Sequence, residues 1–124
     1  MANPEKFAIK ELARNGSINL GASEAVDTDG VVPIEAKGLT DRLFIRVDNA
    51  AGAILNVTIK AGANPPSHLA RDIAVAVPAS TGDVLIGPFE SQRVCQANGD
   101  INVEFEAAAS TPNAAVTVYR LPKF

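Results

Sequence analysis

Residues that build catalytic and metal sites are scarce in this sequence. Its 124 residues include one histidine, His68, and one cysteine, Cys95. A single imidazole excludes the metal sites that several histidines build, and a single cysteine excludes an intrachain disulfide. We therefore expect no metal and no cofactor, and we interpret Cys95 as a small, half-buried hydrophobic residue of a strand.

The lone histidine lies in the segment GANPPSHLARD, from Gly62 to Asp72. The segment contains the three residue types of a serine-hydrolase triad, Ser67, His68 and Asp72. Neighbouring residues on an extended loop point in different directions, however, and no segment has the pattern of an oxyanion hole. We therefore expect His68 to be solvated and the protein not to be an enzyme.

Further absences narrow the range of partners. The net charge is −3, from 11 basic and 14 acidic residues without charge runs, so we expect neither a nucleic acid nor an anionic membrane as partner. Tryptophan is absent and there is one tyrosine, which weighs against a sugar-binding module without excluding it. No apolar run reaches the roughly 20 residues that cross a bilayer. The N-terminus lacks the pattern of a secretory signal, which predicts folding in a reducing cytoplasm.

What the sequence does contain is a series of short alternating segments. Nine glycines and eight prolines separate them, as turns separate strands. Four segments place apolar residues at every second position, as half-buried strands do: RLFIRVDN, LNVTIK, DINVEFE and AVTVYR. VVPIEA and VLIGPF are two further strand candidates. The link between RLFIRVDN and LNVTIK is short and contains Gly52, which predicts that these two strands form a hairpin.

One more strand candidate, DIAVAVP, carries alanines where the others carry polar residues. Ile73, Val75 and Val77 lie on one face, and Ala74 and Ala76 lie on the other. Such a strand is typical of a position that is covered on both sides, and on an open edge it promotes aggregation. We therefore expect it to be internal or to be occupied by a partner chain.

The first segment of the chain has two interpretations. Residues 3–5, Asn-Pro-Glu, and residues 14–16, Arg-Asn-Gly, have the pattern of a helix start and stop, whereas Phe7 and Ile9 fit the start of a strand. We favour the strand because every other segment is β. About seven to nine short strands predict an all-β fold, a single-domain β-sandwich with jelly-roll or other Greek-key topology. The domain spans residues 1–124, with residues 1–16 as a candidate N-terminal arm.

Two acidic patterns have simpler structural explanations than ligand binding. VDTDG, from Val26 to Gly30, lacks the distal glutamate of a calcium loop, and Asp-Gly is ordinary turn chemistry. Glu104 and Glu106 lie roughly 7 Å apart on one strand face, whereas glycosidase carboxylates face each other across a cleft. We interpret the first pattern as a turn and the second as a solvated face.

Contact residues are the remaining candidates for function. Phe44 and Tyr119 are out of phase with the core faces of their strands, and Phe124 ends the segment RLPKF. Minor packing under loops is the simpler interpretation of these aromatic residues. The alternative is a subunit interface, where aromatic residues and arginines such as Arg46 are enriched.

The segment from Gly62 to Asp72 is a second candidate contact. Pro65 and Pro66 favour an extended backbone before His68. The length of the segment predicts either a crossing between sheets or a protrusion at a subunit contact, with His68 and Arg71 as contact residues.

Four segments, in order, resemble a known group of proteins: GLTDRLFIRVDN, VTIKAGANPP, IGPFES and VYRLPKF, within residues 38–124. The group is the small all-β structural proteins of tailed bacteriophages and prophages, in particular capsid decoration (cement) proteins. The resemblance implies a virion protein that binds the assembled shell, with the major capsid protein or other virion proteins as partners. It also implies a homo-oligomer, for example a trimer around a local symmetry axis, and it identifies no site residues.

The first 37 residues match this group more loosely. The alternative is a carbohydrate- or receptor-binding β-sandwich module of a phage tail or fibre. That function predicts a concave patch containing Tyr119, Phe44 or His68.

Overall fold

The computed structural model describes residues 3–19, 21–36, 41–62, 72–89, 94–108 and 111–122. Within these residues the chain forms nine strands and essentially no helix, with Val94 the one described residue in helical conformation, so the all-β prediction is confirmed. The strands are β1 (Ile9–Glu11), β2 (Glu24–Val26), β3 (Gly30–Ile34), β4 (Leu43–Asn49), β5 (Leu55–Ile59), β6 (Ile73–Val77), β7 (Gly82–Ile86), β8 (Ile101–Ala107) and β9 (Ala114–Arg120).

The strands form two sheets. One has five strands in the order β1-β9-β4-β7, with β2 also paired to β9, and the other has four strands in the order β3-β8-β5-β6. The antiparallel pairs include β2 with β9, β3 with β8, β4 with β7, and β5 with β6. These nested pairs are those of one long hairpin rolled into two sheets, which is the jelly-roll arrangement. The predicted β-sandwich is therefore confirmed, and its topology is a jelly roll.

The core lies between the two sheets and follows the alternation of the sequence. In β4, Leu43, Ile45 and Val47 are completely buried while Arg46 and Asp48 are exposed. The same alternation places the apolar residues of β9 beside those of β4, and those of β5 and β8 opposite them in the other sheet. The largest fully buried side chains are Phe7, Phe105, Ile34, Leu43, Ile45, Leu55, Ile59, Ile101, Val26, Val32, Val47 and Val57.

The N-terminal segment is a strand, as favoured above, and the helical interpretation is wrong. Strand β1 pairs in parallel with β9, the one parallel pair among the described strands. Just before it, Phe7 forms an isolated bridge to Ile34 of the other sheet and donates its backbone N–H to the Pro33 carbonyl at 2.9 Å. The Phe7 ring is buried and meets Phe105 edge-on, with ring centroids 5.8 Å apart. The first segment thus links the two sheets along one side of the sandwich.

The predicted hairpin between the fourth and fifth strands is wrong. Strand β4 lies between β9 and β7, while β5 belongs to the other sheet, so residues 50–54 cross between sheets. The buried side chain of Asn49 holds this corner. Its Nδ2 donates to the carbonyls of Ala53 and Pro78, both at 3.0 Å, and its Oδ1 accepts from the Ala51 N–H at 3.1 Å. Because β4 already has a neighbour on each side, it has no free edge for β5.

Of the two alternatives for the connection after β5, the crossing between sheets is wrong, and the protrusion at a subunit contact stays a prediction. Strands β5 and β6 are antiparallel neighbours in the same sheet, and most of the connection between them lies outside the described residues. Strand β6 is at the edge of its sheet, and Ala74 and Ala76 are exposed. It is therefore not an internal strand covered on both sides. Its low polarity predicted burial that the described residues do not provide.

A second short crossing connects the edges of the two sheets. Residues 78–81 lead from β6 to β7, and the Ser80 N–H donates to the Ala51 carbonyl at 2.8 Å, which ties this turn to the β4–β5 crossing. A Cβ atom on Gly82 would lie 2.3 Å from the Pro78 carbonyl oxygen. Only glycine fits at this position without a shift of the backbone. Strand β7 then ends at Ile86, earlier than the segment VLIGPF predicts.

Candidate functional site

The outer face of the five-stranded sheet carries the three predicted contact residues that the structure describes. The core face of β4 is apolar, so Phe44 and Arg46 point away from it, and Tyr119 does the same on β9. Strand β7 adds Leu85, which lies directly opposite Arg46. We call this surface the outer patch, and it consists of Leu12, Phe44, Arg46, Leu85, Thr117 and Tyr119.

Phe44 and Tyr119 form the aromatic part of the outer patch. They are cross-strand partners in the β4–β9 register, and their ring centroids are 6.5 Å apart with an interplanar angle of 33°. Both side chains are half-buried. Each ring limits the rotamers of the other, so together they present a preformed apolar surface rather than two mobile side chains.

Arg46 is held in place by Asp83 on the neighbouring strand. Its Nε donates to Oδ1 at 2.9 Å and its Nη2 donates to Oδ2 at 2.7 Å. These hydrogen bonds, with the attraction between the charges, raise the pKa of Arg46 above its usual range and lower the pKa of Asp83 below its usual value of 3.8. Half of the Arg46 side chain is still exposed. The bidentate pair fixes the guanidinium plane and leaves one edge of it open to solvent.

Leu12, Leu85 and Thr117 are outer-patch residues that the sequence analysis missed. Leu85 is 55% exposed, the highest value among the large hydrophobic residues that the structure shows on the surface. It lies between Val84 and Ile86, so this apolar run has no alternation to show which side chain points outward. The pairing of β7 with β4 decides this, because Leu85 shares the face of Arg46.

A shallow depression lies within the outer patch. Leu12, Arg46, Thr117 and Tyr119 line it, and its volume is about 160 Å³. This is smaller than the roughly 300–1,000 Å³ of typical ligand pockets. The depression therefore suits one protruding side chain or one small ring rather than an extended ligand.

Three of the predicted contact residues, His68, Arg71 and Phe124, lie outside the described residues. The structure does describe both ends of the connection that contains the first two. The Ala61 N–H donates to Asp72 Oδ1 at 2.6 Å, and Lys60 Nζ lies 3.7 Å from Asp72 Oδ2. The two ends of this connection are thus joined beside β5 and β6.

The two acidic patterns serve the fold. Asn3 Oδ1 accepts the Asp27 and Thr28 N–H groups at 2.9 and 3.1 Å, and Asp29 Oδ1 accepts the Ala107 N–H at 3.1 Å, so VDTDG is a turn. Glu104 lies 3.3 Å from Lys60 Nζ, and its hydrogen bond raises the pKa of that lysine.

A second concave surface lies on the side of the sandwich where Phe7 links the sheets. Its volume is about 510 Å³. Lys6 pairs with Glu35 at 2.7 Å, and Arg120 pairs with Glu11 and donates from Nη2 to the Ala36 carbonyl at 3.2 Å. Because its charges form these two opposite pairs, the groove has no net charge for an ionic ligand. No local pattern predicts it, because its walls come from the two ends of the chain and the end of β3.

Among the described residues, no cluster of three or more histidine, cysteine, aspartate or glutamate side chains is arranged to hold a metal ion. In the same part of the chain, no helix is long and apolar enough to cross a membrane. Comparisons with family models, with curated proteins and with solved structures find no match to this chain.

Proposed function

We propose that this chain is a non-enzymatic virion structural protein that decorates and stabilises an assembled phage capsid. The resemblance of residues 38–124 to phage decoration proteins leads to this function, and the outer patch is the observation that supports it. A rigid sheet face with aromatic, leucine and arginine side chains has the composition of a protein–protein interface core.

The chemistry of the outer patch favours a protein partner. Phe44, Tyr119 and Leu85 offer apolar surface on three adjacent strands, and the strands rather than flexible loops fix their positions. Little conformational entropy is lost when such a surface binds. The exposed edge of Arg46 supplies a directional contact to a carboxylate or carbonyl of the partner.

Shell stabilisation follows from binding that requires the assembled lattice. A ligand that binds one state and not another stabilises the state it binds by mass action. A decoration protein whose epitope spans neighbouring capsid subunits binds the closed shell and not the free subunits. The particle is then stabilised without any change in the chemistry of its subunits.

Rebinding to particles tests the proposal. Particles from the organism that carries the gene are purified, examined by mass spectrometry for this chain, stripped of it, and titrated with wild-type protein. We expect saturable rebinding that is visible by electron microscopy as density on the shell, and no binding to unassembled capsid subunits. Absence of the chain from the particles, or equal binding to free subunits, would refute the proposed function.

Two matched variants locate the binding surface. Leu85→Glu places a charge in the outer patch, and Val31→Glu places the same charge on β3, in the other sheet. Both residues are exposed, at 55% and 48%, so neither change places a charge in the core. Because Val31 lies opposite Glu104, the urea midpoint of each variant is measured before rebinding is compared. We expect Leu85→Glu to weaken rebinding by about tenfold or more, and Val31→Glu to rebind like the wild type. Equal effects of the two variants would exclude the outer patch as the docking surface.

A carbohydrate- or receptor-binding module of a tail or fibre is the second candidate function. The depression in the outer patch favours it, because a sugar ring packs against an aromatic face such as Tyr119 and hydrogen-bonds to groups such as Thr117 and Arg46. Saturable binding on a glycan array that Tyr119→Ala abolishes would support this function. No binding at millimolar sugar would exclude it.

A further inference from the structure

Strand β6 lacks the features that usually protect an edge strand. Edges are commonly blocked by a proline, a charge or a bulge. The edge strand β3 contains Pro33, and the edge strand β7 contains Asp83. Strand β6 has the sequence IAVAV, and among the described residues it pairs only with β5.

The core is also incompletely covered on the side of the sandwich where β6 lies. There β6 and β7, the edges of the two sheets, follow each other through a short turn. Four partly buried hydrophobic residues pack against the core in the described chain, and three of them, Ile73, Val75 and Val84, lie on these two strands. On the opposite side, the bridge between Phe7 and Ile34 links the sheets. Within the part of the chain that the structure describes, apolar surface is thus left open beside the edge strand β6.

We propose that β6 pairs antiparallel with β6 of a second copy of this chain. The pair has two-fold symmetry and joins the two four-stranded sheets into one continuous sheet of eight strands, in the order β3-β8-β5-β6 followed by the same strands reversed. The backbone groups of β6 that point away from β5 then have partners. The partner strand also covers part of the apolar surface around Val75 and Ile73.

The strand is self-complementary in this arrangement. With Val75 on the two-fold axis, Ile73 faces Val77 and Ala74 faces Ala76, so core-facing residues meet core-facing residues and exposed alanines meet exposed alanines. A shift by one residue would mix the two faces. The two Asp72 carboxylates are separated by six residues of strand rise, which is about 20 Å. At this distance they do not repel each other strongly. Strand β6 carries no charge that would bind an oppositely charged partner protein. Strand β6 of a second copy is equally uncharged and therefore matches it.

This pairing goes beyond the proposed function and uses a different surface. The outer patch belongs to the five-stranded sheet, and β6 belongs to the other. A two-fold pair also differs from the trimer given above as an example of the implied homo-oligomer, so the mass of the protein in solution separates the two assemblies.

Charge pairs introduced on the exposed alanines test the pairing. In the double variant Ala74→Lys with Ala76→Lys, each new lysine faces a lysine of the partner. The two substitutions are expected to have little effect on the stability of the single chain, because both alanines are exposed. We expect wild-type protein to have twice the 12.9 kDa mass of the chain, and the lysine variant to dissociate at about tenfold or more higher concentration. Sedimentation equilibrium at protein concentrations from about 1 μM to about 1 mM measures the mass and the dissociation constant. This concentration range includes the dissociation constants that are typical of small interfaces.

A complementary variant provides the decisive control. Ala74→Glu with Ala76→Glu is also expected to be monomeric, and an equimolar mixture with the lysine variant is expected to form one-to-one dimers, because opposite charges then face each other. Ala8→Lys with Val31→Lys adds the same charge at two exposed positions on the opposite side and is expected to leave the dimer intact. Failure of the mixture to pair, a monomeric or trimeric wild type, or a dimer that the lysine variant leaves unchanged would each overturn the pairing.

Hydrogen exchange of the wild-type chain gives a second measurement that needs no variant. In the dimer, the β6 amides that point away from β5 are expected to exchange slowly, and their protection is expected to fall on dilution below the dissociation constant. Fast exchange of these amides at every concentration would overturn the pairing. A monomer that still rebinds to particles would leave the proposed function intact.

Discussion

Replacement of Phe7 by alanine tests whether the N-terminal segment belongs to the core. Phe7 is 1% exposed and meets Phe105 edge-on at 5.8 Å. The lost burial costs about 2 kcal/mol. A cavity of about 100 Å³ adds about 2 kcal/mol, and the lost aromatic pair adds about 1 kcal/mol. We therefore expect Phe7→Ala to lower the free energy of unfolding by about 4–5 kcal/mol.

Urea unfolding followed by circular dichroism measures this change. With a slope near 2 kcal/mol per molar urea, the midpoint is expected to fall by about 2 M. We expect the variant to fold in the absence of urea, because the middle of the typical range of domain stability, about 10 kcal/mol, exceeds this loss. Phe7→Leu keeps part of the apolar volume and is expected to lose about a third as much.

Phe44→Ala is the matched control for Phe7→Ala. Phe44 lies on the outer face and is half-buried, so its replacement is expected to cost about 1 kcal/mol or less. A Phe7→Ala midpoint within about 0.3 M of the wild type, or equal losses for the two alanine variants, would refute the placement of Phe7 between the sheets.

Three further predictions concern the crossing turns and the Arg46–Asp83 pair. Asn49→Ala removes the hydrogen-bond partner of two turn carbonyls and one N–H. Urea unfolding is expected to show that the free energy of unfolding falls by about 2–4 kcal/mol. A fall of less than about 0.5 kcal/mol would contradict the assigned hydrogen bonds. Gly82→Ala brings a Cβ to 2.3 Å from a backbone oxygen and is expected to lower the melting temperature clearly, while Gly52→Ala, with nothing within 4 Å, is expected to leave it unchanged or slightly raised. Asp83 is expected to titrate below 3.8 by carboxyl NMR, and Arg46→Ala is expected to return it toward 3.8. Because folding lowers the pKa of Asp83, the contribution of the pair to stability is present above the unfolded-state pKa of Asp83 and is lost as the pH falls through its folded-state pKa. An unchanged Asp83 titration in Arg46→Ala would contradict this.

Strand positions and faces were predictable from the sequence because the alternation of side chains is local. RLFIRVDN, DINVEFE and AVTVYR each show which residues point inward, and β4, β8 and β9 have those residues buried. Two members of the outer patch, Phe44 and Tyr119, were identified because they break the apolar phase of their strands. Leu85 was not identified, because a run of three apolar residues does not alternate and so does not show which side chain points outward.

The choice of sheet for each strand was not predictable from local patterns. The short link after β4 predicted a hairpin, and the long connection after β5 predicted either a crossing or a protrusion at a subunit contact. In the structure the short link is the crossing, and β5 and β6 are neighbours in one sheet. Link length limits the distance between strand ends but does not specify a partner. The partners of β4 are β9 and β7, which lie far along the chain, and the buried Asn49 side chain supports the crossing that results.

The sequence by itself determined that the chain is an all-β protein with one apolar face per strand, because side-chain direction repeats every two residues. It also identified β6 as a strand without polar residues. Only the tertiary structure decided that β6 lies at a sheet edge and that Leu12, Arg46, Leu85 and Tyr119 share one surface. Edges and surfaces are made by pairing between residues that are distant in sequence, and this pairing depends on the fit of the whole core rather than on any one segment.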